Sequence, residues 1–366
     1  MDNSLNTSWN NQAKTNAYIG NHLTTNSQQA PEEELANISA PSTYIREQAD
    51  EYKENITTIP VPQSVPVELK PYFLFNSSFS GKIKPQSVNS MYFFDNKTAT
   101  LKKASSAEQY EKQIKHLVEQ KMTAKLIPQI RKPVILDIVF EIELGENLDG
   151  SISGRGRIDL DNLMKASIDS LSRTIINDDI LVYGLHARIN YKKKTVDSFL
   201  KPANSIRFHI YDYNEQTSNY YKGIIEQQRF KASTHTTLDL ENWLTIPSYN
   251  SMYVIKDGRR VLWPIAAAYK EKLKADFVER FPFIEPDKEY YAIYGNFGAY
   301  NYESRDLDNM LKATFDTFTN IVYKDDKQIL EFYVEKHKAY TAGEVYLKFY
   351  QIENPLDYIW ETDEDR

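Results

Sequence analysis

The 366 residues carry 51 Asp+Glu against 44 Lys+Arg, a net charge of -7, and no cysteine. The missing cysteines exclude disulfides, thiolate zinc sites and a cysteine nucleophile together, and favour an intracellular, cytoplasmic setting. Hydrophobic residues make up 41% and aromatic residues 13% of the chain; that is enough for packed cores, yet no apolar run approaches the roughly 20 residues of a membrane-spanning helix, so no membrane contact is expected.

Residues 1–59 are rich in Asn, Thr, Ser and Gln and poor in apolar side chains, which predicts a disordered tail with a short helix near Tyr44 to Ile56. The tail begins with neither a basic segment nor an apolar one, so no secretory signal is expected. Pro60 to Pro71 is a proline-rich, extended entry to a first module spanning 60–213. A second module is expected over 237–355, after a polar, aperiodic linker at 214–236 and before an acidic tail at 356–366. Lys84 to Phe94 (KPQSVNSMYFF) is matched by Ile246 to Ile255 (IPSYNSMYVI), and a hairpin follows each, around Asp95-Asn96 and Asp257-Gly258. Helices are predicted over Ser105 to Leu126 and Pro264 to Arg280, the second opening with proline. Val134 to Leu144 alternates as a strand, with Tyr290 to Tyr300 as its counterpart. Two further strands close each module: Ile180 to Tyr191 with Ser205 to Tyr213, and Ile329 to Lys338 with Glu344 to Ile352.

Between those strands lies a duplicated motif. Asp159, Asp161, Asn162, Lys165, Asp169, Asp178 and Asp179 recur 147 residues later as Asp306, Asp308, Asn309, Lys312, Asp316, Asp325 and Asp326. Polar identities in fixed register mark an internal duplication. An extended segment turns alternate residues to one side, so Asp159 and Asp161 should face together, as should Asp306 and Asp308. Asp161 and Asp308 are expected as N-caps of helices whose apolar residues follow at helical spacing. Lys165 and Lys312 come one turn later, and the second Asp of each DD pair can reach its own module's DxD if the strands are neighbours. Three carboxylates at one point repel unless a cation joins them, and such hard oxygen donors suit Mg²⁺ or Mn²⁺. An EF-hand is excluded because Leu163 and Met164 stand where an oxygen ligand and a glycine belong. The six histidines do not recur between modules, so no histidine-based site is expected.

The global charge is weak evidence about nucleic acid, because Gly81 to Lys132 holds eleven Lys+Arg against four Asp+Glu while the carboxylates gather at the DxD motifs. Lys102, Lys103, Arg259 and Arg260 on the hairpins are placed to meet phosphates, or form a solvated face.

The order P-x-S-x-N-x-x-Y, hairpin, helix, strand, DLDNLxK, DD, strand, strand resembles the RusA-type Holliday junction resolvases, metal-dependent endonucleases that act as homodimers of one such module. The resemblance implies an α+β fold of two tandem modules, each a mixed sheet with two helices (β-hairpin-α-β-α-β-β), paired as a pseudo-dimer within the chain or in a homodimer. It implies Mg²⁺ (or Mn²⁺) on Asp159, Asp161 and Asp179 and on Asp306, Asp308 and Asp326, with Lys165 and Lys312 as catalytic lysines. Asn89, Lys102, Lys103, Arg157, Asn250, Arg259, Arg260 and Arg305 are then candidates for DNA contact. The implied function is a bacterial or phage-encoded hydrolase that resolves four-way junctions by paired nicks in DNA recombination and repair. The alternatives are a branched-DNA-binding factor with little or no cleavage, and a flap or single-strand nuclease.

Overall fold

In the computed structural model the described residues are 65–80, 92–95, 100–144, 159–193, 204–227, 230–240, 245–248, 251–256, 259–283, 285–287, 289–340, 343–352 and 359–360. The expected N-terminal tail with its helix and most of the acidic tail lie outside them. The strands in chain order are β1 (Phe73–Ser80), β2 (Tyr92–Asp95), β3 (Thr100–Lys103), β4 (Val134–Leu144), β5 (Val182–Lys193), β6 (Ser205–Asp212) and β7 (Phe230–Leu240), then β8 (Tyr253–Lys256), β9 (Arg259–Leu262), β10 (Tyr291–Ala299), β11 (Ile329–Lys338), β12 (Gly343–Ile352) and β13 (Ile359–Trp360). The helices are α1 (Ser105–Lys125), α2 (Leu160–Leu171), α3 (Glu215–Gln227), α4 (Pro264–Arg280) and α5 (Leu307–Phe318).

One mixed sheet organises these elements, in the order β1-β6-β4-β5-β11-β10-β12-β7, with β13 on β5. The order reads the same from either edge when elements are matched by the motif duplication. β4 and β5 are parallel and joined through α2, and β10 and β11 are parallel and joined through α5. Parallel neighbours need such a crossover. At the centre, β5 and β11 pair antiparallel, with Tyr333 opposite His186. The hairpins β2-β3 and β8-β9 stand apart from this sheet.

Burial follows side-chain period. On α1 the buried positions are Ala107, Tyr110, Ile114 and Val118, and on α4 Ala266, Tyr269, Leu273 and Phe277. The spacing repeats the 3.6-residue stripe of a helix seated on a core. Each stripe includes a hydroxyl pair, Tyr110–Ser167 at 2.9 Å and Tyr269–Thr314 at 2.7 Å, which docks α1 on α2 and α4 on α5. A buried phenol needs such a partner. α2 and α5 are buried almost all round.

Segment 214–236, expected to be a linker, holds α3 and the start of β7. Its apolar content is thin because α3 needs only Thr217, Tyr221 and Ile225 on its buried face. β7 pairs on one side alone, with β12; an edge strand has no second neighbour to demand an apolar sequence. β1, its counterpart at the other edge, pairs only with β6 and was also not anticipated. α3 packs over β11 on the sheet face opposite α2 and α5, where Tyr221 stacks on Tyr333 and Ser218 Oγ donates to Glu335 Oε2.

Candidate active site

α2 begins one residue after Asp159, which is its N-cap in extended conformation, and α5 begins likewise after Asp306. The expected caps Asp161 and Asp308 therefore sit inside the first helical turn, and the DxD segments are not extended. This arrangement suits the motif: Asn162 Nδ2 donates to Asp159 Oδ2 at 2.7 Å and Asn309 Nδ2 to Asp306 Oδ2 at 2.9 Å. The asparagine thus locks the carboxylate before the helix, while Asp161 and Asp308, near the positive helix end, project toward the other helix.

Both lysines cross between the copies. Lys165 Nζ lies 2.6 Å from Asp308 Oδ2, and Lys312 Nζ lies 2.8 Å from Asp161 Oδ2 and 3.0 Å from Asp316 Oδ1. Lys165 also faces Asp169 at 3.5 Å. Burial alone would weaken each ammonium, but the carboxylates outweigh it, Asp308 for Lys165 and Asp161 for Lys312, and hold both well above the usual lysine range.

The DD pairs cross as well. Carboxylate oxygens of Asp159, Asp325 and Asp326 lie within 4.8 Å of one another, as do those of Asp161, Asp316 and Asp326. Burial, then the charges of Asp161 and Asp159, push Asp326 up to about 8. Asp179 is raised to about 7 by burial and by Asp306, with Asp178 and Asp308 adding to it. Asp161 and Asp306 are also raised, burial being the first cause in both. The expectation that Asp179 joins Asp159 and Asp161 is therefore corrected. β5 and β11 are adjacent at the centre of the sheet, so the short 3-10 turn opening each strand delivers its second aspartate to the other copy's helix start. One site comprises Asp159, Asp161, Asp326 and Lys312; the other comprises Asp306, Asp308, Asp179 and Lys165.

A divalent cation fits the first of these sites: its donors are hard oxygens that converge, and burial together with neighbouring carboxylates raises the pKa values of Asp161 and Asp326, the condition a cation relieves. Beside each site a buried amide oxygen, Asn162 Oδ1 or Asn309 Oδ1, has no hydrogen-bond partner.

Of the expected DNA contacts, Arg305 is partly buried and donates to the Ile246 carbonyl oxygen, so its guanidinium serves at least in part to hold the chain. Lys102, Lys103, Arg259 and Arg260 lie on the hairpin strands, with side chains outside the description; Asn89, Arg157 and Asn250 lie outside the described residues.

Sequence reasoning missed two features. Lys336, fully buried on β11, donates to the carbonyl oxygens of Ile180 at 2.6 Å and Arg305 at 2.5 Å. Burial brings its pKa down to about 8 against the opposing charges of Asp306 and Asp179. The available signal was a lysine at the position where the first copy carries the apolar Ile189. The other feature is an ionic network on the α3 face. His186 contacts Asp137 at 2.7 Å and Glu331 at 2.8 Å, with Arg188 3.8 Å from Glu331. It joins the two halves of the sheet, and its members come from four strand positions that no local pattern links.

Among the described residues no helix is long and apolar enough to cross a membrane. No curated protein matches the chain. The family model of the endodeoxyribonuclease RusA matches residues 82–198 and 288–349. Each matched stretch contains one aspartate pair at a helix start, one crossing lysine and one acidic pair, and the chain carries two segments of the RusA endodeoxyribonuclease type.

Proposed function

We propose that the protein is a Mg²⁺-dependent endonuclease that resolves four-way DNA junctions by paired symmetric nicks, its two modules pairing within one chain as a pseudo-dimer. The second module then begins with β7 rather than at 237, since β7 is the edge strand matching β1. The observation that carries this reading is the reciprocal crossing of carboxylates and lysines between copies: neither copy has a complete set alone. A four-way junction presents two equivalent strands to be cut, and two composite sites related by the sheet's central strand pair suit such a substrate. Acting on recombining DNA, the protein would work inside the cell.

Asp159, Asp161 and Asp326 would hold the cation in one site, and Asp306, Asp308 and Asp179 in the other. When bound, Mg²⁺ or Mn²⁺ supplies a polarised phosphoryl oxygen and a water acidic enough to attack at neutral pH. Asp326 and Asp179, with raised pKa values, give up their protons as the site is loaded. Lys312 and Lys165 are fixed ammonium groups beside the donors, placed to stabilise negative charge developing on the scissile phosphate. Their ion pairs to Asp161 and Asp308 keep the two helix starts at a fixed spacing, so the charge needs no rearrangement at the moment of reaction.

The test is strand-resolved cleavage of an end-labelled synthetic four-way junction with Mg²⁺, beside a linear duplex of the same sequence. Paired symmetric nicks on the junction alone are expected. Binding without cleavage in both Mg²⁺ and Mn²⁺ would overturn the reading and favour a junction-binding factor.

A further inference from the structure

The two composite sites match in their aspartates and crossing lysines, but a fully buried lysine stands at one of them alone. Register fixes the comparison without reference to the motif: Lys336 on β11 lies beside Phe297 of β10, and Ile189 on β5 lies beside Phe140 of β4. Both residues are fully buried. Lys336 Nζ donates to the carbonyl oxygen of Ile180, which follows Asp179, and to that of Arg305, which precedes Asp306. The ammonium also lies 4.7 Å from the centre of the Tyr183 ring. It thereby ties together the two segments, one from each copy, that present carboxylates to the second site. In the first site the strand offers only the apolar sec-butyl side chain of Ile189.

A second difference accompanies the first. The oxygens of Asp159, Asp325 and Asp326, and of Asp161, Asp316 and Asp326, converge within 4.8 Å. Among the described residues the matching carboxylates of the second site form no such group. At the first site, besides Lys312, Lys327 lies 3.9 Å from Asp159, with its side chain 40% exposed and shared with Asp325, and the half-buried Lys270 acts by its charge on Asp316. A water-exposed ammonium on a flexible stem is screened and displaceable; one that is buried and held by two carbonyls is neither.

We propose that the two sites are unequal in cation affinity: the site of Asp159, Asp161 and Asp326 binds a divalent cation tightly, and the site of Asp306, Asp308 and Asp179, already partly neutralised by Lys336, binds it weakly. The inference rests on the nuclease reading in taking these carboxylates as cation donors. Its consequence is ordered loading, in which cation concentration decides whether one strand or both can be cut. Lys336 acts as a positioning residue, through the backbone of Ile180 and Arg305 and through its charge.

The test is Mn²⁺ binding to the full-length chain, counted by loss of the free-ion electron paramagnetic resonance signal and by calorimetry. Two classes of site are expected, separated by about tenfold or more, since a fixed charge at short range in a low-dielectric site acts at that scale. Asp161→Asn should remove the tight class and Asp306→Asn the weak one, both without altering Lys336. Lys336→Met, checked for folding by its thermal transition, should move the weak class toward the tight one. Two equal classes in the unaltered protein, or removal of the tight class by Asp306→Asn, would overturn the inequality while leaving the nuclease reading standing. Absence of cation binding at either site would overturn both.

Discussion

Whether each site is assembled within a copy or across copies can be decided by pairing substitutions. Asp161→Asn with Asp326→Asn touches only one composite site, although the residues belong to different copies. Asp161→Asn with Asp179→Asn touches both sites, although both residues belong to the first copy. Oxygens of Asp161 and Asp326 lie within 4.8 Å of each other, and two unit charges at that separation interact by about 3.5 kcal/mol at an effective dielectric constant of about 20. A divalent cation held between the oxygens is closer to each and carries twice the charge, so replacing one carboxylate by an isosteric amide removes more than about 3.5 kcal/mol of attraction, or at least about two orders of magnitude in site function at 1.36 kcal/mol per tenfold. Asp161→Asn also takes one carboxylate from Lys312, which keeps Asp316 at 3.0 Å, so the folding of each variant is checked by its thermal transition before cleavage is compared. At saturating Mg²⁺, strand-resolved cleavage of a labelled junction should show the Asp161/Asp326 pair still nicking from its second site. The Asp161/Asp179 pair should fall by at least about a hundredfold on both strands. The reverse pattern, with Asp161/Asp179 retaining one active site and Asp161/Asp326 none, would refute the composite site.

Lys312→Met removes the cation from Asp161, Asp316 and Asp326 and should destabilise the cation-free protein by about 3 kcal/mol, the scale for a buried carboxylate left without its partner; urea unfolding with and without Mg²⁺ checks this, and Mg²⁺ should recover part of the loss. Because Asp326 and Asp179 hold protons up to about 8 and about 7 in the cation-free fold, apparent Mg²⁺ affinity should rise from pH 6 to pH 8, with protons released on binding; calorimetry in two buffers of different ionisation enthalpy measures the release, and its absence would argue against these values. His186 is lowered by burial but raised more by its bonds and charges with Asp137 and Glu331, to about 9. Its folded pKa exceeds the unfolded value of about 6.5, so its contribution of about 3 kcal/mol is complete below pH 6.5 and is lost as pH rises through 9. His186→Phe should accordingly lower stability at pH 6 and much less at pH 10. A methyl group at Gly184 would meet Ile135 Cγ1 at 2.8 Å and the Tyr333 hydroxyl at 3.0 Å, so Gly184→Val should cost about 2–3 kcal/mol by overpacking, read from the midpoint of urea unfolding.

The elements that carry their own period were legible in the sequence: β4 by alternation, α1 and α4 by their stripes, the site aspartates by duplication. The partition of those aspartates between sites was not. Nothing local to Asp179 or Asp326 says which helix start each will meet; that follows from β5 and β11 being neighbours, a long-range pairing visible only in the fold. The caps were misplaced by two residues because Asp is a good cap at either position, and the choice fell to Asn162 and Asn309, whose amides hold Asp159 and Asp306. α3 was read as linker because a helix that covers one sheet face at a single stripe keeps polar residues on most of its surface.

The central strand pair also gives a reason for two copies in one chain. β11 places Glu331 opposite Arg188 of β5, and Glu335 opposite Gly184. Glu331 further meets His186, while Glu335 is satisfied by Ser218, Tyr294 and Tyr333. If two second copies paired through β11 about the same centre, Tyr333 would face Tyr333 and each Glu331 would face a Glu335, setting buried like charges directly opposite one another with neither Arg188 nor His186 to meet them. Two first copies would pair His186 with His186 and leave each Arg188 without Glu331. Cross-strand like-charge pairs are unfavourable and opposite pairs favourable, so only the mixed pair matches charges at this seam. Duplication without fusion would have left a choice of partners. Once the copies share a chain, each can lose its own half of the symmetric contact, as His186 and Tyr333 have at equivalent positions, and the seam then specifies the pairing that brings Asp326 to Asp161 and Asp179 to Asp308.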